Sequence, residues 1–105
     1  MAWQQAVRAD ALGEDEIVGV KLDGRDVAVC RTTDGYHAFD NVCTHQFALL
    51  SDGYVEDGCV ECPLHQGRFE VATGKPLGAP VTTPIRVYAV KIEDGHVYVD
   101  LEGGG

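Results

Sequence analysis

Long apolar runs are missing from this sequence. No segment approaches the roughly 18 apolar residues that a membrane-spanning helix requires. The opening stretch, Met1 to Asp10, lacks a basic segment followed by an apolar one, so no secretory signal is expected. Cations are scarce: eight Lys+Arg stand against seventeen Asp+Glu, for a net charge of -9. That balance argues against a nucleic-acid partner and favours solubility and attraction to basic protein surfaces. There is no Gly-x-Gly-x-x-Gly phosphate loop, internal repeat, linker or low-complexity stretch. Helical patterning is nearly absent. Only Ala11 to Ile17 could form a helical turn, and Gly13 weakens it. These absences predict a cytoplasmic chain that meets neither membrane nor nucleic acid. In that compartment Cys30, Cys43, Cys59 and Cys62 are expected as thiols or metal ligands rather than disulfides.

What is present suits one small folded unit spanning residues 1–105. Hydrophobic residues make up 45% and charged residues 24%, too apolar a mixture for disorder. A chain this short buries only about two-thirds of its unfolded surface, so a metal cross-link would be unsurprising. The length favours a carrier, adaptor or small binding module over a catalytic domain with its own substrate cavity. Asp-Gly pairs at Asp23-Gly24, Asp34-Gly35, Asp52-Gly53, Asp57-Gly58 and Asp94-Gly95 suit the positive φ angles of tight hairpin turns. Between them, Val18, Val20 and Leu22 alternate with Gly19 and Lys21, and Val97, Val99 and Leu101 alternate with His96, Tyr98 and Asp100. Arg86 to Ile92 is also extended in character. The pattern predicts an antiparallel all-β domain, a small sandwich or barrel. From about residue 41 to 84 the strands shorten and Gly, Pro, Cys and His concentrate, as expected of a subdomain inserted between strands of a basal part.

The chemistry-bearing residues are Cys43-Thr44-His45 and, after sixteen intervening residues, Cys62-Pro63-Leu64-His65. Cys43 and His45 are two apart, so in an extended loop both side chains point the same way. Cys62 and His65 are three apart, a spacing that a turn begun by Pro63 can bring onto one centre. Two thiol–imidazole pairs suggest a four-ligand metal site of soft sulfur and nitrogen donors, suited to zinc or to iron–sulfur. Ligand count alone leaves both open: a structural zinc ion held by all four side chains, or a diiron centre with both cysteines on one iron and both histidines on the other.

Together with their flanks, these pairs point to a family. Cys43-Thr44-His45, Leu50-Ser51-Asp52-Gly53, Cys62-Pro63-Leu64-His65-Gln66-Gly67-Arg68-Phe69 and Thr73-Gly74-Lys75 resemble Rieske-type [2Fe–2S] ferredoxins. Within them the likeness is to the ferredoxin components of bacterial aromatic-ring-hydroxylating dioxygenases of the naphthalene-dioxygenase-like group. It runs from about Asp40 to Leu101. The resemblance implies a Rieske-type antiparallel β-sandwich, with basal sheets at about 1–40 and 85–102 and a cluster-binding subdomain at about 41–84. It further implies one [2Fe–2S] cluster, held by Cys43 and Cys62 on the inner iron and by His45 and His65 on the outer. Replacing two thiolates by neutral imidazoles makes reduction easier, so Rieske potentials lie at roughly -150 to +300 mV against about -400 mV for plant-type ferredoxins. Rieske proteins of respiratory complexes carry an extra disulfide and two hydroxyls that stabilise the reduced cluster. The corresponding positions here are Ala48 and Leu64 for the disulfide, and Gly67 and Phe69 for the hydroxyls. None can make those bonds, which implies a low-potential centre.

Other residues have plainer readings. Cys59-Val60-Glu61-Cys62 invites a dithiol interpretation, but Gly58 to Cys62 reads as a strand, which puts the two sulfurs on opposite faces. Cys59 and Cys30 are expected as small buried hydrophobes. His37 and His96 have no partner ligand nearby in sequence and read as ordinary strand or surface histidines. Pro80, in Gly78-Ala79-Pro80, belongs by resemblance to a loop shielding the cluster, which Phe47 and Leu64 would help to cover.

The function implied is one-electron carriage, not catalysis. By resemblance, a flavin-containing, NAD(P)H-dependent reductase supplies electrons and a terminal Rieske non-haem iron oxygenase receives them to hydroxylate an aromatic compound. The carrier is expected to be a monomer. Two rivals stand beside this reading: a subunit of another redox system such as nitrite reductase, and a structural zinc module used for protein binding.

Overall fold

Alternating β-branched residues between Asp-Gly turns should fold as hairpins, and they do. The computed structural model describes residues 3–43, 48–63, 67–78 and 83–104. The described strands are β1 (Trp3–Arg8), β2 (Ile17–Leu22), β3 (Arg25–Thr32), β4 (Gly35–Asp40), β5 (Tyr54–Glu56), β6 (Cys59–Glu61), β7 (Arg68–Glu70), β8 (Val87–Glu93) and β9 (His96–Gly104). Six form an antiparallel sheet in the order β1-β9-β8-β4-β3-β2, and three form a second sheet, β5-β6-β7. The smaller sheet falls in sequence between β4 and β8. No helix among the described residues is long and apolar enough to cross a membrane.

Three of the Asp-Gly pairs close hairpins with both residues at positive φ: Asp23 and Gly24 (51° and 80°), Asp57 and Gly58 (52° and 75°), Asp94 and Gly95 (50° and 76°). At the β3–β4 hairpin the loop is Thr33-Asp34, and Gly35 at φ 131° already pairs with Thr32. Asp52-Gly53 departs from the expectation. Gly53 sits at φ -89° and ends a 3₁₀ turn, Leu50–Asp52. Its glycine answers a close approach instead, because a Cβ there would lie 1.9 Å from the carbonyl oxygen of Glu61.

The expected helical turn over Ala11 to Ile17 does not form. A 3₁₀ turn covers Ala9–Ala11, and the chain then runs as a loop. Arg31 of β3 competes for its backbone groups: Asp15 N–H donates to the Arg31 carbonyl (2.6 Å) and Arg31 N–H donates to that of Glu16 (3.1 Å). Those bonds extend the sheet's pairing and take two of the backbone groups a helix would use.

Strand β3 organises the interior. Val27, Ala28, Val29 and Cys30 are all fully buried, an unbroken apolar run rather than an alternation. Successive side chains leave a strand on opposite faces, so the run feeds two cores. Val27 and Val29 pack with Leu12, Leu22, Ala38, Val97 and Val99. Ala28 and Cys30 pack with Phe39, Leu50, Val60, Phe69 and Ile85. The first core lies within the large sheet, whose edge strands β1 and β2 come into contact. The second joins the large sheet to the small one.

Candidate metal centre

Two loops leave the second core in the same way. After β4 the chain passes Asn41 and Val42 to Cys43, whose N–H donates to the Ala48 carbonyl (2.9 Å). Val42 bridges to Leu49 just outside this closure. At the end of β6, Cys62 N–H donates to the Gly67 carbonyl (2.7 Å), and Glu61 pairs with Arg68 just outside it. Each closure thus runs from a cysteine N–H to the carbonyl five residues later, with a two-stranded stem behind it.

Both cysteines are carried inward. Cys43 is 3% exposed and Cys62 1%, and both belong to the core that contains Phe69 and Leu50. None of the four cysteines forms a disulfide. The structure therefore buries the two sequence-predicted sulfur ligands in one core, at equivalent positions of matching loops. His45 and His65 belong to the segments these bonds close and lie outside the described residues, as do Phe47, Leu64 and Pro80. Among the described residues no three His, Cys, Asp or Glu side chains gather as a metal site. The two sulfurs, half of the predicted donor set, fit a cluster anchored by thiolates on its protein-facing side.

The other cysteines and histidines do other things. Cys30 is fully buried, as expected of a small hydrophobe, and burial, aided by Asp15 and Asp34, pushes its thiol up to about 12. Cys59 corrects the expectation: it is only half-buried, with Sγ 3.6 Å from the Asp57 carbonyl oxygen. On a three-residue strand the pleat turns Val60 fully inward and leaves Cys59 and Glu61 on the other side. Cys59 and Cys62 thus have the opposite-face character expected of them, which does not suit a dithiol. His37 Nε2 lies 3.1 Å from an Asp34 carboxylate oxygen, and His96 Nδ1 lies 3.0 Å from the Asp94 carbonyl oxygen. Neither stands beside Cys43 or Cys62 in the chain or in the sheet register.

Sequence reasoning missed the clasp beneath the first loop. Asn41 is 4% exposed, and its amide Nδ2 donates to Ser51 Oγ (2.9 Å) while its Oδ1 accepts the Ser51 N–H (2.8 Å). Its backbone N–H donates to the Asp26 carbonyl (2.9 Å) and its carbonyl accepts from Leu50 N–H (2.7 Å). One buried residue, through its side chain to Ser51 and its backbone to Asp26 and Leu50, thus ties β3, the loop stem and the Leu50–Asp52 turn together, two residues before Cys43. Gly19 of β2 makes room for it: a Cβ there would stand 2.6 Å from Asn41 Nδ2 and 2.8 Å from Ser51 Oγ. A glycine inside an otherwise alternating strand was the available signal.

Comparison with known proteins agrees with this architecture. Residues 2–89 match the family model for the Rieske [2Fe-2S] domain. The ferredoxin component of the naphthalene 1,2-dioxygenase system of Pseudomonas putida is 48% identical over 99 residues, covering 94% of this chain and 95% of that one. A chain from the complex of reduced oxygenase and oxidised ferredoxin in carbazole 1,9a-dioxygenase superposes with a TM-score of 0.90 at 35% identity, covering 98% of this chain and 95% of that one. A protein described as an NADH-dependent nitrite reductase small subunit from Mycobacterium tuberculosis superposes at 0.79 with 32% identity, covering 93% of each chain. With a fold shared along nearly its whole length and two buried cysteines heading matched loops, the chain belongs to the Rieske [2Fe–2S] family.

Proposed function

We propose that this protein is the ferredoxin component of a multicomponent aromatic-ring dioxygenase: a cytoplasmic, monomeric one-electron carrier between an NAD(P)H-dependent flavin reductase and a terminal oxygenase. The observation that carries this reading is the 48% identity running over 95% of a relative that is itself such a component. In it, residues 41–84 form the cluster-holding unit on a base of 1–40 and 85–102. Cys43 and Cys62 hold the inner iron, and His45 and His65 hold the outer. When bound, a Rieske cluster accepts and returns a single electron at a potential set by its ligands and their hydrogen bonds.

The chain's own residues set the conditions for that exchange. Cys43 and Cys62 keep their sulfurs out of water, among Phe69, Leu50 and Ile85. Gly67 has no side chain, and Phe69 is fully buried with no hydroxyl to donate. Without side-chain hydroxyls at these two positions the midpoint should fall near the low end of the Rieske range, at roughly -150 mV. A strongly positive value in a redox titration would overturn this part. The net charge of -9 favours a basic docking face on the partner, so turnover should fall as salt rises.

Iron and acid-labile sulfide analysis, with electron paramagnetic resonance of the reduced protein, tests the cluster. A colourless, zinc-loaded protein would replace this reading with a structural zinc module. Reconstitution with a reductase and a terminal oxygenase tests the role. Support of a nitrite reductase alone would favour the second redox reading, which the 32% identical small subunit keeps in view.

A further inference from the structure

Most of the described cations have a visible role close at hand. Arg8 pairs with Asp10, Lys21 with Asp26, Arg68 with Glu61 and Lys91 with Glu93, while Arg31 donates to the Leu12 carbonyl and lies over Tyr36. Arg25, at the start of β3, and Arg86, just before β8, are different. Both are exposed, neither has a carboxylate within ion-pairing distance among the described residues, and both donate to one acceptor. Arg25 Nη1 lies 3.1 Å and Arg86 Nη2 3.0 Å from the Leu101 carbonyl oxygen. Arg86 is further fixed over the Tyr88 ring, 5.0 Å from its centroid.

The two guanidinium groups line a cavity of about 320 Å³ with Asp26, Asp40, Val42 and Tyr88. Its carboxylates already have donors: Asp26 has Lys21 at 3.4 Å, and Asp40 accepts the Tyr88 hydroxyl. Its cations share the Leu101 carbonyl and border Tyr88, Arg25 at the hydroxyl and Arg86 over the ring, and each guanidinium offers five N–H donors, so some remain open. A second hollow of about 290 Å³ shares Asp26 and Val42 with the first and continues to Ala48 and Leu49. Ala48 closes the Cys43 loop, and Leu49 is 41% exposed. A continuous groove therefore leads from the first cysteine loop to two unpaired, braced guanidinium groups.

We propose that this groove docks the terminal oxygenase, with a carboxylate side chain of that partner seated between Arg25 and Arg86; the proposal rests on the ferredoxin reading above. Planar guanidinium forks match a carboxylate bidentately. The groove carries two guanidinium and two carboxylate groups, and with Asp26 facing Lys21 and Asp40 holding the Tyr88 hydroxyl, the guanidinium donors are what it leaves open to a carboxylate. Long-range attraction of an acidic protein to a basic face brings the partners together, and one reversed charge contact at the groove fixes their orientation.

The test uses the holoprotein and its Arg25→Gln and Arg86→Gln variants in oxygenase-dependent turnover with reductase saturating. Each variant should raise the KM for ferredoxin about tenfold, with kcat, the midpoint potential and the paramagnetic resonance spectrum unchanged. Arg31→Gln, which also loses a carbonyl contact but lies outside the groove, should leave KM alone. Variants that lose thermal stability but keep KM within about twofold of the wild type would assign the arginines to bracing β9 and overturn the proposal. Should the glutamine variants fail to fold, the wild type decides: sodium glutarate must raise KM more than sodium chloride at the same ionic strength, and equal effects overturn it. Wild-type protein with a normal spectrum that reduces no terminal oxygenase offered would defeat the ferredoxin reading instead. The groove is then judged by nuclear magnetic resonance, where glutarate but not chloride must shift the Arg25 and Arg86 Nε–H signals.

Discussion

Val27 and Val29 point from β3 into a core made almost wholly by strands of the large sheet, whereas Ala28 and Cys30 point into one that also contains Cys43 and Cys62. The first is closed by strands of six to nine residues, paired along most of their length with register shifts at Gln5/Val7 and Tyr88/Ala89. The second is covered by three strands of three residues each. Strands that short are marginal without further packing, and their core includes three thiols, Cys30, Cys43 and Cys62, in place of larger hydrocarbon. One side of the molecule is thus held by hydrophobic burial and ladder bonds. The other needs its metal ligands engaged to be complete, because ligand binding to the native state adds directly to stability.

The sharpest way to break that comparison is to remove one of the proposed ligands. Cys43→Ser or Cys62→Ser should abolish the visible absorbance and the paramagnetic resonance signal. Hydrogen exchange should then show protection lost in β5, β6 and β7 but retained in β8 and β9. Equal loss in both sheets would mean that the two cores form a single cooperative unit.

Next come the cores themselves. Phe69→Ala should cost about 3–5 kcal/mol and release the cluster, while Leu22→Ala should cost about 2–5 kcal/mol and leave the spectrum intact. Denaturant unfolding monitored by both circular dichroism and cluster absorbance separates the two. A Leu22 variant that bleaches at the same rate as the Phe69 variant would show that the cluster senses global stability only.

Smaller effects follow at the clasp between the halves. Asn41→Ala leaves the Ser51 N–H without its acceptor and should cost about 1–3 kcal/mol. Gly19→Ala, which crowds the same two side chains, should act in the same direction. Both should broaden the paramagnetic resonance spectrum and lower the melting temperature, by about 4–8 °C for each kcal/mol lost.

The smallest effect at neutral pH belongs to Cys30. Its folded pKa, about 12, stands above the ordinary thiol value of 9.0, so its contribution is fully present below about pH 9 and is lost as pH rises toward 12. Cys30→Ala should therefore flatten the decline in stability between about pH 9 and about pH 11, measured by urea unfolding. In the folded protein a thiol reagent should reach half-buried Cys59 well before Cys30.

Much of this was legible in the residues. Val97, Val99 and Leu101 alternate as expected and are all buried, and three Asp-Gly pairs adopt the turn that their conformational freedom permits. The metal-ligand character of Cys43 and Cys62 came from spacing and flanks and their pairing from the family resemblance; the structure buries both in one core. Less legible were features that depend on distant partners. Arg31 claims the backbone groups of the segment expected to be helical, and Glu61 crowds Gly53 from across the small sheet. Asn41 is unremarkable as a letter; only its contacts with Ser51, Asp26 and Leu50 make it a clasp.

By itself the sequence determined what its local chemistry can determine: hairpin turns from backbone freedom at Asp-Gly, an all-β class from alternation, and a metal-ligand pattern from thiols and imidazoles at short spacing. Tertiary structure alone decided which face of β3 meets which core, why Gly19 must lack a side chain, and that Arg25 and Arg86, sixty-one positions apart, share one carbonyl. The physical reason is range. Turn geometry and side-chain chemistry act over a few residues, whereas packing and shared hydrogen-bond acceptors join positions that the chain brings together only when it folds.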